Sequence, residues 1–509
     1  MNPDQSRPAT VAESHISTVL LAGDRAYKLL KAVDLGFVDF TDTGERLRAV
    51  EQELLLNRRL APDVYLGTAD VTEQGAVVDR MLVMRRMNDS HRLESLLRDC
   101  TASGVAVPAH LRACIDAVVR SVAALHAASA PVYGDDAAMA TRDAVAGNWA
   151  DNFAVIEPHV GEVIDRDDFE EVRELATAYL HGSAELFAHR IDRGWIRDGH
   201  GDLRAEDIFC EPDGPRILDC LAFSEDLRIA DVLADVCFLA MDLVNLGFPR
   251  EADRMLRLYE EFTAETHPAS LAQHYIAYRA HVRTKVCCLQ YAQGDMERAA
   301  EARALHSLVL DRLRRGAPRL VVVGGGPGTG KSTLARSLSE SEGLAYVGSD
   351  IVRKELAGLS PEHSARSPVD EGIYSPAMTE ATYAELLSRA ESLLGLGEPV
   401  VLDASFTSDS HRRSVRELAR RRRVGLVELR CELDEQVALE RVRSRRGGPS
   451  DADEVVTAHL HRAADPWPEA TAVDTGSTVG EATERALLAL RSAPQAQLER
   501  RTDSDGGDP

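Results

Sequence analysis

Hydrophobic and polar positions give the first part of the chain the pattern of a small β-rich lobe followed by helices. Residues 15–39 predict two strands around a tight turn at Gly23-Asp24. The apolar positions of residues 45–60 recur at helical spacing, and two more strand patterns follow within the first hundred residues. Helical periodicity then dominates from about residue 108 to residue 315, broken by a short strand-and-loop segment over residues 195–223.

A change of pattern at Gly316-Ala317-Pro318 predicts a domain boundary. Residues 319–323 have the largely apolar pattern of a buried strand and begin an alternation of strands and helices, which favours a parallel sheet. We therefore expect an α+β domain over residues 1–315 and an α/β domain over residues 316–492. Residues 493–509 are polar and contain Gly and Pro, which predicts a disordered tail.

The composition is that of a globular protein, with 44% hydrophobic and 28% charged residues. A formal net charge of −24 argues against nucleic acid as a partner, because neutralising phosphates requires a basic surface. Residues 401–450 nevertheless hold 12 arginines, including Arg420 to Arg423. This cluster has two interpretations, a local basic pocket or a solvated helix face.

The cysteines and the apolar runs bear on where the protein acts. The eight cysteines show no CxxC spacing, so we expect neither disulfides nor structural zinc, as in a reducing cytoplasm. No apolar run approaches the roughly 18 residues that a membrane span requires. We therefore predict a cytoplasmic protein without a membrane partner.

The clearest chemical signal is a G-x-x-x-x-G-K-S motif between a predicted strand and a predicted helix. Lys331 is expected to reach the β- and γ-phosphates of ATP, and Ser332 to ligate Mg²⁺. The alternative is a Gly-rich turn that carries this sequence by chance. The residues that we expect to bind ATP here are Gly325, Gly326, Pro327, Gly328, Thr329, Gly330, Lys331, Ser332 and Thr333.

Two carboxylates end later predicted strands, at the sheet edge where an α/β fold binds its ligand. Asp350 could deprotonate an acceptor hydroxyl that Arg353 orients, or it could be only the N-cap of the next helix. Asp403 has the place of a Walker-B-type acid that helps to hold Mg²⁺. On a later helix, Arg441 and Arg445 could neutralise charge on the transferred phosphoryl group, or they could be solvated helix arginines.

The segments VVVGGGPGTGKST, SDIVRKEL, VVLDASF, ERVRSRR and SDADEV resemble the AAA-type P-loop kinase group that includes gluconate kinase, the zeta toxins, chloramphenicol phosphotransferase and polynucleotide 5′-kinase. The resemblance covers residues 318–490. It implies that Asp350 activates the acceptor hydroxyl with Arg353 as its partner, and that Arg441 and Arg445 are lid arginines. The resemblance indicates the reaction better than it indicates the substrate, because the group phosphorylates sugars, nucleotide sugars, drugs or nucleic-acid ends.

A second constellation lies in the first part of the chain. Asp202, in the loop His200-Gly201-Asp202-Leu203, and Asp219, about 17 residues later, could be a catalytic base and an Mg²⁺ ligand. Lys28 or Lys31 on a predicted strand could pair with Glu53 on the following helix and bind ATP phosphates. We choose Lys28, because it is nearer the middle of the strand.

This order of residues resembles the aminoglycoside phosphotransferase and choline kinase family, the small-molecule branch of the protein-kinase-like bilobal fold. The resemblance covers residues 12–300. GHGDLRAEDIF matches the catalytic loop with Asp202 as base, ILDCLAF matches the metal segment with Asp219, and IADVLADVCFL matches the helix that buries Asp231 and Asp235. Asp207 stands where that family has an Mg²⁺-ligating asparagine, and a Gly-rich nucleotide loop around Gly23 is missing.

Together the two halves resemble a family of bacterial bifunctional proteins. We expect an ATP- and Mg²⁺-dependent phosphotransferase that acts on a hydroxyl of a small molecule, with one or two such sites. The alternatives are a regulatory ATPase with a degenerate N-terminal kinase-like domain and a nucleic-acid end kinase, which the acidic charge disfavours.

Overall fold

The structure is a computed structural model that describes residues 9–13, 16–34, 39–360, 372–444 and 464–493. Arg445 and nearly all of the predicted tail lie outside the described residues. The chain divides into two compact units. The first consists of Met1–Asn148, Ala188–His267 and Tyr275–Leu308, and the second of Trp149–Phe187, Pro268–His274 and Val309–Pro509. Each unit consists of several separate segments of the sequence. The division into continuous domains over residues 1–315 and 316–492 stays a prediction.

The first unit begins with a five-stranded antiparallel sheet in the order β1-β2-β3-β5-β4. Helix α1, Thr43–Asn57, packs on this sheet through a buried apolar cluster that includes Val50 and Leu82. The hairpin, the helix and the two later strands lie where the sequence predicts them. The strands are Thr10–Glu13, Ser17–Ala22, Arg25–Leu30, Tyr65–Glu73 and Ala76–Arg85.

The rest of the first half of the chain is mainly helical. Two short antiparallel pairs interrupt the helices: β6, Ile196–Asp198, with β9, Ile229–Asp231; and β7, Ile208–Glu211, with β8, Gly214–Ile217. The helices α2 to α11 are Leu93–Ala102, Ala109–Ala128, Arg142–Ile156, Arg166–Gly182, Ala184–Asp192, Glu225–Arg228, Val232–Asn245, Pro249–Thr263, Ala269–Ala292 and Arg298–Gly316.

A disulfide joins Cys114 on α3 to Cys210 on β7, with the two Cα atoms 5.9 Å apart. The prediction that the chain forms no disulfide is therefore wrong. The two cysteines are separated by 96 residues, so their spacing in the sequence carries no sign that the fold places a strand against this helix. The cysteines therefore no longer support the prediction of a reducing compartment.

The second unit contains a five-stranded sheet in the order β11-β12-β10-β13-β14, in which every pair is parallel. Apolar clusters cover both of its faces, as an α/β sheet requires. The predicted fold class is confirmed. Strands β10 to β14 are Arg319–Gly324, Ala345–Gly348, Val400–Asp403, Gly425–Glu432 and Thr471–Asp474. Helices α12 to α17 are Lys331–Glu342, Ser349–Leu356, Pro376–Gly395, Asp409–Arg422, Glu435–Ser444 and Val479–Ser492.

Within the described ranges, no helix combines the length and the apolar character that crossing a bilayer would require.

Candidate active sites

The P-loop connects the end of β10, the central strand, to the start of α12 at Lys331. Gly328 has a φ of +79°, and a Cβ at this position would lie 2.4 Å from the backbone oxygen of Ala438. Gly330 is the N-cap of α12 with a φ of +90°. The loop therefore depends on glycine at both positions, and it ends at a helix N-terminus whose free N–H groups attract anions.

Hydrogen bonds fix the shape of this loop. Thr329 Oγ1 donates to the carbonyl of Gly326 at 2.8 Å, and Thr475 Oγ1 donates to the carbonyl of Thr329 at 2.5 Å. Arg441 Nη2 in turn donates to the carbonyl of Thr475 at 3.1 Å. The predicted arginine Arg441 thus lies beside the P-loop, and Thr475 is a loop-supporting residue that the sequence analysis missed.

Lys331 and Asp403 are both close enough to Cys431, at the end of β13, for their charges to act on its thiol. Burial raises the pKa of the Cys431 thiol to about 12, the charge of Lys331 opposes this increase, and the charge of Asp403 adds to it. Lys331, Ser332 and Thr333 form the first turn of α12, where Lys331 and Ser332 are half-buried and Thr333 is exposed. The predicted phosphate-binding and metal-binding residues are therefore at one edge of the sheet.

Asp403 is the last residue of β12 and is 4% exposed. Its Oδ2 accepts a hydrogen bond from the hydroxyl of Tyr346 at 2.6 Å, whereas its Oδ1 is buried without a hydrogen-bond partner among the described residues. A buried carboxylate oxygen without a partner is costly. A hard cation such as Mg²⁺, which prefers oxygen ligands, fits this donor.

Asp350 is the second residue of α13, and the N-cap of this helix is Gly348. The alternative that Asp350 is the N-cap is therefore wrong. Burial raises the pKa of both Tyr346 and Tyr383, and the charge of Asp350 raises both further. The half-buried Asp350 carboxylate is thus close to these two phenols, at the same end of the sheet as Asp403.

Arg353 follows Asp350 by three residues in α13. Its guanidinium lies 4.9 Å from the centroid of the Tyr374 ring. Its Nε is buried and has no hydrogen-bond partner in the part of the chain that the structure describes. This N–H is thus a donor that no described residue uses, on the same helix as Asp350.

A cleft of about 690 Å³ opens beside the P-loop. Its walls include Gly325, Gly326, Phe406, Arg412 and Trp467. The sequence analysis missed the two aromatic residues, which also belong to the buried apolar cluster on one face of the sheet and so do not differ in pattern from ordinary core residues. The cleft gives a nucleotide or an acceptor space next to the phosphate-binding loop.

The arginine-rich segment forms ion pairs. Arg421 Nη2 lies 3.2 Å from Glu391 Oε2, and Arg422 Nη1 lies 2.9 Å from Glu185 Oε1. Arg416 makes a bidentate pair with Glu428, at 2.7 and 2.8 Å. These contacts support the interpretation of a helix face over that of a basic pocket.

In the first unit, Lys28 and Glu53 form a largely buried ion pair between β3 and α1. Lys28 Nζ lies 2.8 Å from Glu53 Oε1 and 3.3 Å from Asp219 Oδ1. Burial alone would lower the pKa of Lys28, but the charges of Asp219 and Glu53 outweigh it and raise the pKa. Lys31 pairs instead with Glu13, so the structure brings Lys28 into the site.

The loop that carries Asp202 is held from beneath by Asp235 on α8. The Asp235 carboxylate accepts the N–H groups of His200 and Gly201 at 2.7 and 2.8 Å, and His126 Nε2 lies 3.0 Å from it. Burial alone would raise the pKa of Asp235, but the hydrogen bonds from His126 and His200 and their charges lower it. Burial also raises the pKa of Asp202.

The β7–β8 hairpin connects Asp207 to Asp219, and the N–H of Leu218 donates to the carbonyl of Asp207 at 2.9 Å. Asp219 has a φ of +62°, which is uncommon for a residue other than glycine, and its N–H donates to the Tyr65 hydroxyl at 3.1 Å. Burial and the charge of Asp219 raise the pKa of Asp207 well above its usual range. This concentration of carboxylates fits a divalent cation.

Comparison with known proteins identifies relatives of the whole chain. Residues 320–466 match the family model of an AAA domain. The chain is 37% identical over 484 residues to the uncharacterized protein Rv2004c of Mycobacterium tuberculosis (strain ATCC 25618 / H37Rv), and the match covers 95% of each chain. An uncharacterized protein of Mycobacterium bovis matches over the same length with the same identity. The chain belongs to the family of these mycobacterial proteins. Because the match covers nearly all of both chains, the family has both units.

Solved kinase structures resemble one part of the chain or the other. A gluconokinase from Sinorhizobium meliloti 1021 is 23% identical over 34% of this chain and 92% of its own, with a TM-score of 0.25. A choline/ethanolamine kinase family protein from Mesorhizobium loti is 14% identical over 61% of this chain and 94% of its own, with a TM-score of 0.34. Similarities at this level carry no argument about activity.

Proposed function

We propose that this protein is an ATP- and Mg²⁺-dependent phosphotransferase that phosphorylates a hydroxyl group of a small molecule at the P-loop of its second unit. One observation carries the proposal: the end of the parallel sheet that presents the P-loop also presents Asp350 and Asp403, whose Oδ1 has no partner among the described residues. An anion site, a cation ligand and a carboxylate that does not cap its helix are the groups that phosphoryl transfer requires.

Each residue has a separate role in this proposal. The P-loop backbone and Lys331 bind the β- and γ-phosphates, while Ser332 and Asp403 hold Mg²⁺. When bound, Mg²⁺ neutralises charge on the phosphate oxygens. The Asp350 carboxylate accepts the proton of the acceptor hydroxyl, whose oxygen forms a bond to the γ-phosphorus. The bond from this phosphorus to the β–γ bridging oxygen breaks, and ADP leaves.

Arginines complete the proposed site. Arg353, whose Nε has no hydrogen-bond partner within the described ranges, orients the acceptor beside Asp350. Arg441 Nη1 would lie 3.5 Å from a Cβ built on Gly330, so its charge is next to the phosphate-binding loop. In this proposal Arg441 stabilises charge that develops on the transferred phosphoryl group. The same role for Arg445, outside the described residues, stays a prediction.

We propose a second nucleotide site in the first unit. Lys28, paired with Glu53, binds ATP phosphates; Asp207 and Asp219 hold Mg²⁺; and Asp202 is the base. The alternative is a degenerate site that binds nucleotide without transferring phosphate, since Asp207 stands where the similar kinase family has an Mg²⁺-ligating asparagine and changes the charge of the site.

The experiment that tests the proposal measures ADP release by the full-length protein, with ATP and Mg²⁺, in the presence and absence of a library of small alcohols. A phosphotransferase releases ADP only with an acceptor, whereas a regulatory ATPase releases it without one. Lys331→Ala should abolish the release that depends on the P-loop unit. ADP release that needs no acceptor and is lost in Lys331→Ala would contradict the proposal, and release stimulated only by oligonucleotide ends would identify a nucleic-acid end kinase.

A further inference from the structure

Tyr346 and Asp403 form a hydrogen bond whose direction is fixed. The Tyr346 hydroxyl donates to Asp403 Oδ2, with the two oxygens 2.6 Å apart. This bond sets the rotation of the carboxyl group about its Cβ–Cγ bond. It also uses Oδ2, so Oδ1 is the oxygen that stays buried without a partner among the residues described.

Gly348 provides the space for this hydroxyl. In the parallel register of β11 and β12, Gly348 is opposite Asp403, and Tyr346 is opposite Val401. Tyr346 and Gly348 are two residues apart and face the same side of the sheet. A Cβ at position 348 would lie 2.6 Å from the Tyr346 hydroxyl oxygen. A side chain at this position would therefore push the hydroxyl away from Asp403.

The Tyr346 ring is held on the side of the P-loop helix. The guanidinium of Arg336, on α12, lies 5.3 Å from the centroid of the ring. The ring itself is partly buried against the apolar cluster that includes Leu334 and Val401. Packing alone would be satisfied by phenylalanine, so the hydroxyl requires another explanation.

We propose that Tyr346 is a positioning residue for the metal-binding function of Asp403: its hydroxyl holds Oδ2, so that Oδ1 is turned toward the bound cation. This inference rests on the proposed function of the P-loop unit. It assigns to Tyr346 a role that acts through Asp403. Partners that orient a metal ligand typically change metal affinity by about 10- to 100-fold when they are removed.

The test is a Mn²⁺ titration of the full-length protein with a non-hydrolysable ATP analogue, followed by electron paramagnetic resonance. The signal that disappears in Lys331→Ala belongs to the P-loop unit. Tyr346→Phe should raise the half-saturating Mn²⁺ concentration of that signal about tenfold, whereas affinity for the analogue at saturating Mn²⁺ should change less than twofold. Tyr383→Phe is the matched control, because its hydroxyl contacts Ser405 and the N–H of Phe406.

Gly348→Ala provides an independent route to the same state, since it displaces the Tyr346 hydroxyl without removing it. It should also raise the half-saturating Mn²⁺ concentration, and the double variant should show less than the product of the two single effects. If thermal unfolding in metal-free buffer shows that Tyr346→Phe does not fold, Gly348→Ala takes its place in the test.

Different results refute different claims. Unchanged half-saturating Mn²⁺ in Tyr346→Phe, or a double variant whose effects multiply, would overturn the positioning role of Tyr346. A wild-type protein without any Lys331-dependent Mn²⁺ signal would instead contradict the proposed function of the P-loop unit.

Discussion

Lys28 Nζ lies 2.8 Å from Glu53 Oε1, and the exposed fractions of the two side chains are only 15% and 8%. The pair connects strand β3 to helix α1, and the same ammonium group reaches Asp219, 191 residues away in the sequence. A buried charge pair of this kind is seldom a gain in stability. The ion pair has an explanation if Glu53 holds the lysine in place to bind an anion, such as a nucleotide phosphate.

The two neighbouring lysines provide a matched test of this interpretation. Lys28→Ala should weaken ATP binding by the first unit at least tenfold, because the phosphates lose their cation. Lys31→Ala should change the affinity less than twofold, since Lys31 makes an exposed pair with Glu13. Calorimetry in a Lys331→Ala background, which isolates the first unit, measures both. Equal effects of the two substitutions would contradict a specific role for Lys28.

Asp235→Asn should destabilise the first unit by about 3 kcal/mol at pH 7, because it removes charged hydrogen bonds to the loop that carries Asp202. The folded-state pKa of Asp235 is lowered, so its contribution is present above the unfolded-state pKa and is lost as the pH falls. The difference from wild type in urea unfolding should therefore shrink below about pH 4. A difference that stays constant from pH 7 to pH 3 would refute this.

Asp242 should show the opposite dependence on pH. Burial raises its pKa to about 6, although charge from Arg204 and the Ala205 N–H act against this. The folded state then binds more protons than the unfolded state between about pH 4 and pH 6, so stability falls as the pH rises through this window. At pH 7, Asp242→Asn should have a free energy of unfolding about 1 kcal/mol higher than wild type, a modest gain because the carboxyl is partly exposed. At pH 4, the variant and wild type should be equally stable. A less stable variant at pH 7 would contradict the assignment.

The disulfide between Cys114 and Cys210 should stabilise the first unit. Cys114→Ser should lower the free energy of unfolding by about 2–4 kcal/mol in oxidising buffer, since the bond closes a long loop. Cys210→Ser should have the same effect, and the double variant should be no worse than either. In excess dithiothreitol, wild type and variants should unfold at nearly the same denaturant concentration. A stability difference that persists under reduction would mean that the serine, and not the lost bond, destabilises the protein.

The parts of the sites that are contiguous in sequence could be predicted from it. The P-loop is one short segment, so its strand, glycines and lysine are visible together. The choice of Lys28 over Lys31 needed only the position of each residue in a strand. Whether Asp350 caps a helix could not be decided, because sequence patterns locate helix ends only to within about two to four residues.

The parts that depend on tertiary contacts could not be predicted. Cys114 and Cys210 gave no signal, because only packing of the β7–β8 hairpin and helix α3 brings them together. Tyr346 belongs to an ordinary strand pattern, and its meaning depends on a hydroxyl that reaches Asp403 on the next strand through the space left by Gly348. Such pairings between strands require the register of the sheet.

The most direct test of the central claim is acceptor-dependent ADP release by Asp350→Asn, with ATP affinity measured on the same preparation. Asp350 is not the cap of its helix, so asparagine should remove a base without disturbing the fold. The proposed function predicts unchanged ATP affinity and turnover lowered by about 10²-fold or more. Unchanged turnover would contradict Asp350 as the base of the phosphoryl transfer, and lost ATP affinity would place it in the nucleotide site instead.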